Sequence, residues 1–285
     1  MEAVDLIKGS VKLATLPEVF TKINEMVDDP SSSASDIGKF ISQDPGLTAR
    51  LLKIANSPLY GFPSRIDTVS RAITIIGTRG LRDLILATSV INNFTRMPSD
   101  HIDMRQFWSH SLYCGVIARL IAVKCNALHT EPFFVSGLLH DIGQLIILNK
   151  LPEMSRETKL RANDGGMSLQ AVEQEVIGFD HAKVGCELLR DWRLPDTIID
   201  STEFHHEPGK AKLSPLGASI VHIASELATD VEMNSALSSS TFIATRVDPV
   251  AVAITGLGAS AVENIKEEAA LQFSAAIELF LPKAI

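Results

Sequence analysis

The side chains best suited to chemistry fall in four short clusters. His140-Asp141 lies in the apolar stretch Gly137-Leu138-Leu139-His140-Asp141-Ile142-Gly143, and His205-His206-Glu207 forms a second dense group. His181 follows Gly178-Phe179-Asp180 at a predicted helix start, and His110 lies within a predicted helix from Phe107 to Ala127. A charged pair in an apolar helix needs a partner, because an unpaired buried charge is expensive. A metal ion is one such partner. Imidazole mixed with carboxylate suits Fe, Mn, Zn or Ni better than Ca or Mg. The competing reading is that these residues are separate helix N-caps and solvated surface histidines. Two paired clusters in one chain favour a shared site. His222, in an apolar helix, reads instead as a hydrogen-bonded core histidine, and His101 and His129 flank loops where exposure is expected.

The elements that would position these residues are predicted to be helical throughout. Val19, Ile23, Met26 and Val27 recur at helical spacing after Leu16-Pro17-Glu18, and Asp28-Asp29-Pro30 ends that segment. Ser33 to Asp36 offers N-caps for a short helix carrying Ile37, Phe40 and Ile41. Asp44 caps the next, with Pro45 at its first position. Thr68 to Ile76 is closed by Gly77, and Arg79 to Phe94 follows. Helices are also predicted over Glu131–Leu148, Ser168–Ile177, His181–Trp192, Pro195–Glu203 and Ser214–Leu227. Residues 234–245 read as a loop or a weak helix, and 250–262 are ambiguous. No strand pattern or internal repeat is apparent.

Composition narrows the class. The chain has 285 residues, 46% hydrophobic and 21% charged, which fits a globular protein of one or two helical modules. Residues 1–100 carry 11 basic and 11 acidic residues, so the net charge of −8 falls entirely on 101–285. This asymmetry suggests two parts with a boundary near Met97-Pro98-Ser99-Asp100. The acidic balance makes nucleic acid an unsuitable partner, since that binding relies on neutralising phosphates. Arg50 and Lys53 on one helix read as solvated surface. No Walker A or GxGxxG motif is present. Cys114, Cys125 and Cys186 form no CxxC and read as reduced core cysteines of a cytoplasmic protein. The start Met1-Glu2-Ala3-Val4-Asp5 is not that of a signal peptide, and no apolar run reads as a membrane span.

Several motifs carry a family resemblance. Trp108-Ser109-His110-Ser111, the Gly137–Gly143 stretch, Phe179-Asp180-His181-Ala182-Lys183-Val184-Gly185 and His205-His206-Glu207-Pro208 resemble the HD superfamily of metal-dependent phosphohydrolases. Leu16-Pro17, Asp44-Pro45-Gly46-Leu47-Thr48, Leu51 to Ser57 and Ala72 to Gly77 narrow the match to the HDOD domain, a bacterial signalling module. The resemblance runs from about residue 12 to residue 230. It implies an all-α fold, with an N-terminal helical bundle (1–97) packed on an HD-like helical domain with a C-terminal extension (98–285). It implies one metal held by His110, His140, Asp141 and a late carboxylate, and a second held by Asp141, His181, His205 and His206. Asp141 would then be the catalytic bridge if the domain is active.

The sequence departs from the catalytic pattern of HD-GYP relatives. The late carboxylate should fall in Ile220-Val221-His222-Ile223-Ala224-Ser225, where the chain has Ser225; Glu226 is offset by ~100° around the helix. The lysine expected after His-Asp is Gln144. The Gly-Tyr-Pro element is replaced by Gly209-Lys210-Ala211-Lys212. The resemblance therefore implies a regulatory protein acting through a signalling partner or a small nucleotide-like ligand, with impaired catalysis. The alternative is a phosphohydrolase acting on a nucleotide or cyclic dinucleotide.

Overall fold

The computed structural model describes residues 1–8, 16–95, 102–233 and 237–281. Among them every regular element is helical and no strand occurs. The order begins with α1 (Ala3–Lys8), α2 (Glu18–Asp28), α3 (Ala34–Ser42), α4 (Pro45–Ala55) and α5 (Val69–Phe94). Local chemistry sets these boundaries. The Ser33 hydroxyl accepts from the Asp36 amide while the Asp36 carboxylate accepts from the Ser33 amide, closing a capping box at α3. Asp44 accepts from the Leu47 amide, and Pro45 takes the first position of α4. Gly77 breaks α5 into two helices at a kink with φ 84° and ψ 162°, a conformation a side chain would strain.

Then follow α6 (Met104–Lys124), α7 (Glu131–Leu139), α8 (Ile142–Lys150), α9 (Pro152–Gly165), α10 (Leu169–Val176), α11 (His181–Asp191), α12 (Asp196–Glu203) and a 3₁₀ turn at Pro208–Lys210. The chain ends with α13 (Pro215–Glu232), α14 (Ser239–Arg246), α15 (Pro249–Thr255) and α16 (Ala259–Phe280). Most of the expected helices are present within a few residues. Three differences matter. The helix expected through Glu131–Leu148 is broken at His140-Asp141, so those residues lie at a corner rather than mid-helix. The polar segment 152–165, left unassigned by periodicity, is α9. The segments read as weak or ambiguous are α14, α15 and the start of α16.

α6 is buried on nearly all sides, including Trp108, Leu112, Cys114, Val116 and Ile121, and it packs against α7, α13 and α16. The bundle α2–α5 joins this centre through α5 on α7 and α16 on α4, and one continuous apolar core runs through both parts. Phe94 at the end of α5 meets Trp108 and Trp192 at ring centroids 6.5 and 6.3 Å apart. α1 packs against α11 and α8 in the C-terminal part. The Met97–Asp100 junction lies outside the described residues. Contrary to the sequence reading, residues 131–150 are long and apolar enough to cross a membrane by composition. However, 72% of the qualifying window is buried inside the protein.

α8 and α11 cross closely beside the corner at Asp141. A Cβ on Gly143 would stand 2.7 Å from the Gly185 amide nitrogen and closer still to the His181 carbonyl oxygen. Only glycine at 143 permits this crossing, which brings His181 against Asp141.

Candidate metal centre

The break between α7 and α8 orients the central pair. His140 occupies the C-cap of α7, and Asp141 the N-cap position of α8. Asp141 makes no capping hydrogen bond; its carboxylate turns inward instead. One oxygen, Oδ1, lies 3.1 Å from His181 Nε2 and 3.9 Å from His205 Nε2, while Oδ2 lies 3.4 Å from His140 Nε2. The N-cap alternative for Asp141 is thereby answered. His181 opens α11, where Asp180 supplies the cap by accepting from the Lys183 amide. His205 and His206 lie between α12 and the 3₁₀ turn, and His110 lies in α6 with its ring centroid 5.5 Å from that of His140.

All six residues singled out in the sequence are therefore brought together. His110, His140 and Asp141 offer ligand atoms within 4.8 Å of one another, and so do His181, His205 and His206. Asp141 faces both groups. His222 behaves as the core histidine expected: Nδ1 faces the His205 carbonyl at 2.9 Å, and Nε2 accepts from the Asp248 amide at 2.9 Å. His129 is exposed, and His101 lies outside the described residues.

Four of the imidazoles are held from behind through Nδ1. His140 Nδ1 donates to the Gly137 carbonyl and His205 Nδ1 to the Thr202 carbonyl, both at 2.7 Å. His181 Nδ1 meets the Glu173 carboxylate at 2.6 Å, and His110 Nδ1 meets Glu232 at 3.1 Å. In the neutral ring, as at His140 and His205, a proton on Nδ1 leaves the lone pair of Nε2 available to the centre. The backbone amide of His181 also donates to Glu173, at 2.8 Å.

Burial lowers the basicity of His140, to about 4, and of His206, to about 3, and holds His205 well below the ordinary range. These rings are neutral at pH 7. Burial opposes charge on His181 as well, but the Glu173 and Asp141 carboxylates outweigh it and raise it well above the usual value. His110 is raised likewise: burial is outweighed by its hydrogen bond to Glu232 and the charge of Asp141. Asp141 is held well below the carboxylate range because the surrounding histidines overcome its burial.

Two features of this cluster suit a cation. His206 Nε2 and His181 Nε2 face each other at 2.9 Å, a contact that a protonated His181 satisfies by donating to His206 and that a cation between the two rings would satisfy equally. His205 Nε2 is buried with no hydrogen-bond partner. A buried lone pair aimed into a set of imidazoles and one carboxylate fits a divalent transition ion. At the expected late carboxylate, Ser225 Oγ lies 3.2 Å from His140 Nε2, so the hydroxyl does face the centre. Gln144 sits half-buried in the first turn of α8. A cavity of about 480 Å³ opens beside the cluster; its walls include Val4, Gln170, Phe179, Lys183, Glu203 and His206.

An HDOD domain matches residues 13–208, more than two thirds of the sequence. The chain belongs to the HDOD family. The HDOD chain is also similar to an uncharacterized protein of Treponema pallidum (strain Nichols), at 28% identity over 194 residues. That match takes in 67% of this chain and 37% of the relative, so the chain spans little more than a third of that protein's length. Among solved structures, an HDOD domain protein of unknown function from Geobacter sulfurreducens is similar, with a TM-score of 0.79 and 24% identity. The superposition covers 98% of this chain and 97% of that one. A candidate phosphohydrolase from Shewanella amazonensis SB2B has a TM-score of 0.75 at 22% identity, covering 96% and 97% of the two chains. At these identities the likeness is one of fold, and it extends past residue 208 through α13–α16.

Sequence reasoning missed Glu173 and Glu232. Glu173 lies eight residues before His181 in a different helix, with no local signal. Glu232 lies seven residues beyond Ser225, two helical turns on and hence on the same face of α13, a spacing the sequence did contain.

Proposed function

We propose that this HDOD protein is a regulatory module whose His–Asp cluster holds a divalent transition metal and whose adjoining cavity receives a small nucleotide-like ligand or a segment of a signalling partner. The observation that carries this reading is the buried, unpartnered His205 Nε2 within a converging cluster that has Ser225 where a carboxylate is expected. His181, His205, His206 and Asp141 would hold one ion; His110, His140 and Asp141 would offer a poorer second position. A bound ion would supply Lewis acidity toward a phosphoryl oxygen or water. The protein's own residues supply the rest. The carbonyls of Gly137 and Thr202 fix two ring orientations, and burial keeps His140, His205 and His206 neutral. With Ser225, the His110–His140–Asp141 position lacks its expected fourth ligand, and with Gln144 an uncharged amide stands where the resemblance implies a lysine for a phosphoryl group. Each missing stabilising group costs on the order of 10²–10³ in rate.

The second reading, an HD-type phosphohydrolase, is favoured by the cavity, which gives a substrate room beside His206. The two separate on one experiment. Metal-loaded protein is incubated with cyclic dinucleotides, linear dinucleotides and nucleoside monophosphates, alongside the Ser225→Asp/Gln144→Lys double variant. Negligible wild-type turnover, with activity gained in the double variant, supports a regulatory module. Robust wild-type turnover that vanishes in Asp141→Ala makes the protein an enzyme.

A further inference from the structure

The cluster of six ligand-type residues contains a single carboxylate, Asp141. One or two divalent cations in a buried site need more negative charge than that, since an uncompensated buried charge is costly. Two further carboxylates stand directly behind the imidazoles, one for each group. Glu173 lies against His181 Nδ1 at 2.6 Å, and Glu232 against His110 Nδ1 at 3.1 Å. The other backed rings, His140 and His205, rest on neutral backbone carbonyls. We propose that Glu173 and Glu232 are paired positioning residues that deliver charge to the centre through His181 and His110, with Glu232 compensating for the carboxylate absent at Ser225.

The geometry supports separate duties. Glu173 is 2% exposed, and its Oε2 accepts from both the ring and the backbone amide of His181, so it fixes that residue at the start of α11. This ties α10 to the His181 side of the centre. Glu232 is at the C-terminal end of α13, with its side chain 38% exposed. It sits two turns beyond Ser225, so one helix face presents a hydroxyl to His140 and a carboxylate to His110. In each case the carboxylate keeps the proton on Nδ1, leaves Nε2 as the ligand atom, and makes the ring a stronger donor.

The inference rests on the proposed metal site, and the test separates the two. Full-length wild type, Glu173→Gln, Glu232→Gln and Glu232→Asp are stripped and titrated with Co²⁺. Stoichiometry and affinity are followed by visible absorption, and folding by far-ultraviolet circular dichroism. Glu232→Gln, at a partly exposed site, is expected to keep its fold yet weaken one Co²⁺ position by ~10–100-fold, with Glu232→Asp recovering part of the loss. Glu173→Gln is expected to weaken the other position by a similar factor and change its absorption spectrum. Wild type that binds Co²⁺ while both glutamine variants bind it with unchanged affinity and spectrum overturns this inference and leaves the metal site standing. Wild type that binds no Co²⁺ overturns the metal site itself, and this inference with it.

Discussion

Gly143→Ala isolates the structural requirement of the site without replacing any of its six ligand-type side chains. A Cβ there would lie 2.7 Å from the Gly185 nitrogen and 2.9 Å from the His181 carbonyl carbon, both backbone atoms. Ordinary contact needs roughly 3.4 Å or more, so α8 and α11 must part by about 0.7 Å at least. No rotamer change can relieve a clash with backbone. Overpacking costs about 1–3 kcal/mol when side chains can adjust, so the upper end, about 3 kcal/mol, is expected here. For a chain of this size that corresponds to a fall in Tm of about 6–12 °C. The displacement also falls between Asp141, two residues before Gly143, and His181, whose carbonyl is the obstacle. It exceeds the ~0.5 Å within which a ligand constellation must be held. Metal content should therefore fall along with Tm. Thermal unfolding followed by circular dichroism, with metal per chain measured on the same samples, provides the assay. A variant that melts within about 2 °C of wild type and keeps its metal would refute the close-crossing account.

Other outcomes follow from the same packing. Asp83 is 2% exposed, and burial raises its carboxyl from 3.8 to about 6 despite the Arg82 guanidinium 2.8 Å away. Its folded form binds a proton more tightly than its unfolded form, so this contribution to stability is complete below about 3.8 and is lost as pH rises through about 6. The total is roughly 3 kcal/mol, and the change in urea-unfolding stability across the pH window from about 3.8 to about 6 should differ in Asp83→Asn by about that amount. An unchanged pH dependence in the variant would mean the Arg82 pair fully offsets burial. Phe94 packs edge-on against Trp108 and Trp192, joining the end of α5 to the C-terminal helices. Phe94→Ala should cost about 3–5 kcal/mol and lower one shared calorimetric transition; two separate transitions in wild type would show that the parts fold independently.

The helical periodicity at Val19–Val27, the caps at Ser33 and Asp44, and the glycine at 77 were all legible because each is a local signal. So were the six ligand-type residues: His140-Asp141 is a polar pair in an apolar stretch, His205-His206 is a dense pair, and His110 and His181 lie in motifs that carry the family resemblance. The corner at His140-Asp141 was hidden because the apolar residues on either side of the pair, Leu138-Leu139 and Ile142, keep one helical period across it and no proline marks the break. α9 was hidden for the opposite reason: Pro152–Gly165 is mostly polar, and its exposed surface leaves too few apolar residues to set a period. Glu173 and Glu232 reach the site only through tertiary packing of α10 and α13. The placement of α1 on α11 and α8, rather than on the bundle nearest in sequence, is likewise a packing outcome that local pattern does not specify.

The central claim, that the His–Asp cluster holds a transition metal, is tested most directly by elemental analysis of protein purified without chelators or a polyhistidine tag. Wild type should carry at least one Fe, Mn, Zn or Ni ion per chain, and His206→Ala much less, since removing a ligand exceeds the ~10–100-fold effect of an outer partner. Equal, near-zero metal in wild type and His206→Ala would contradict the account, leaving His205 Nε2 and the His181–His206 contact as features of an ordinary buried histidine cluster.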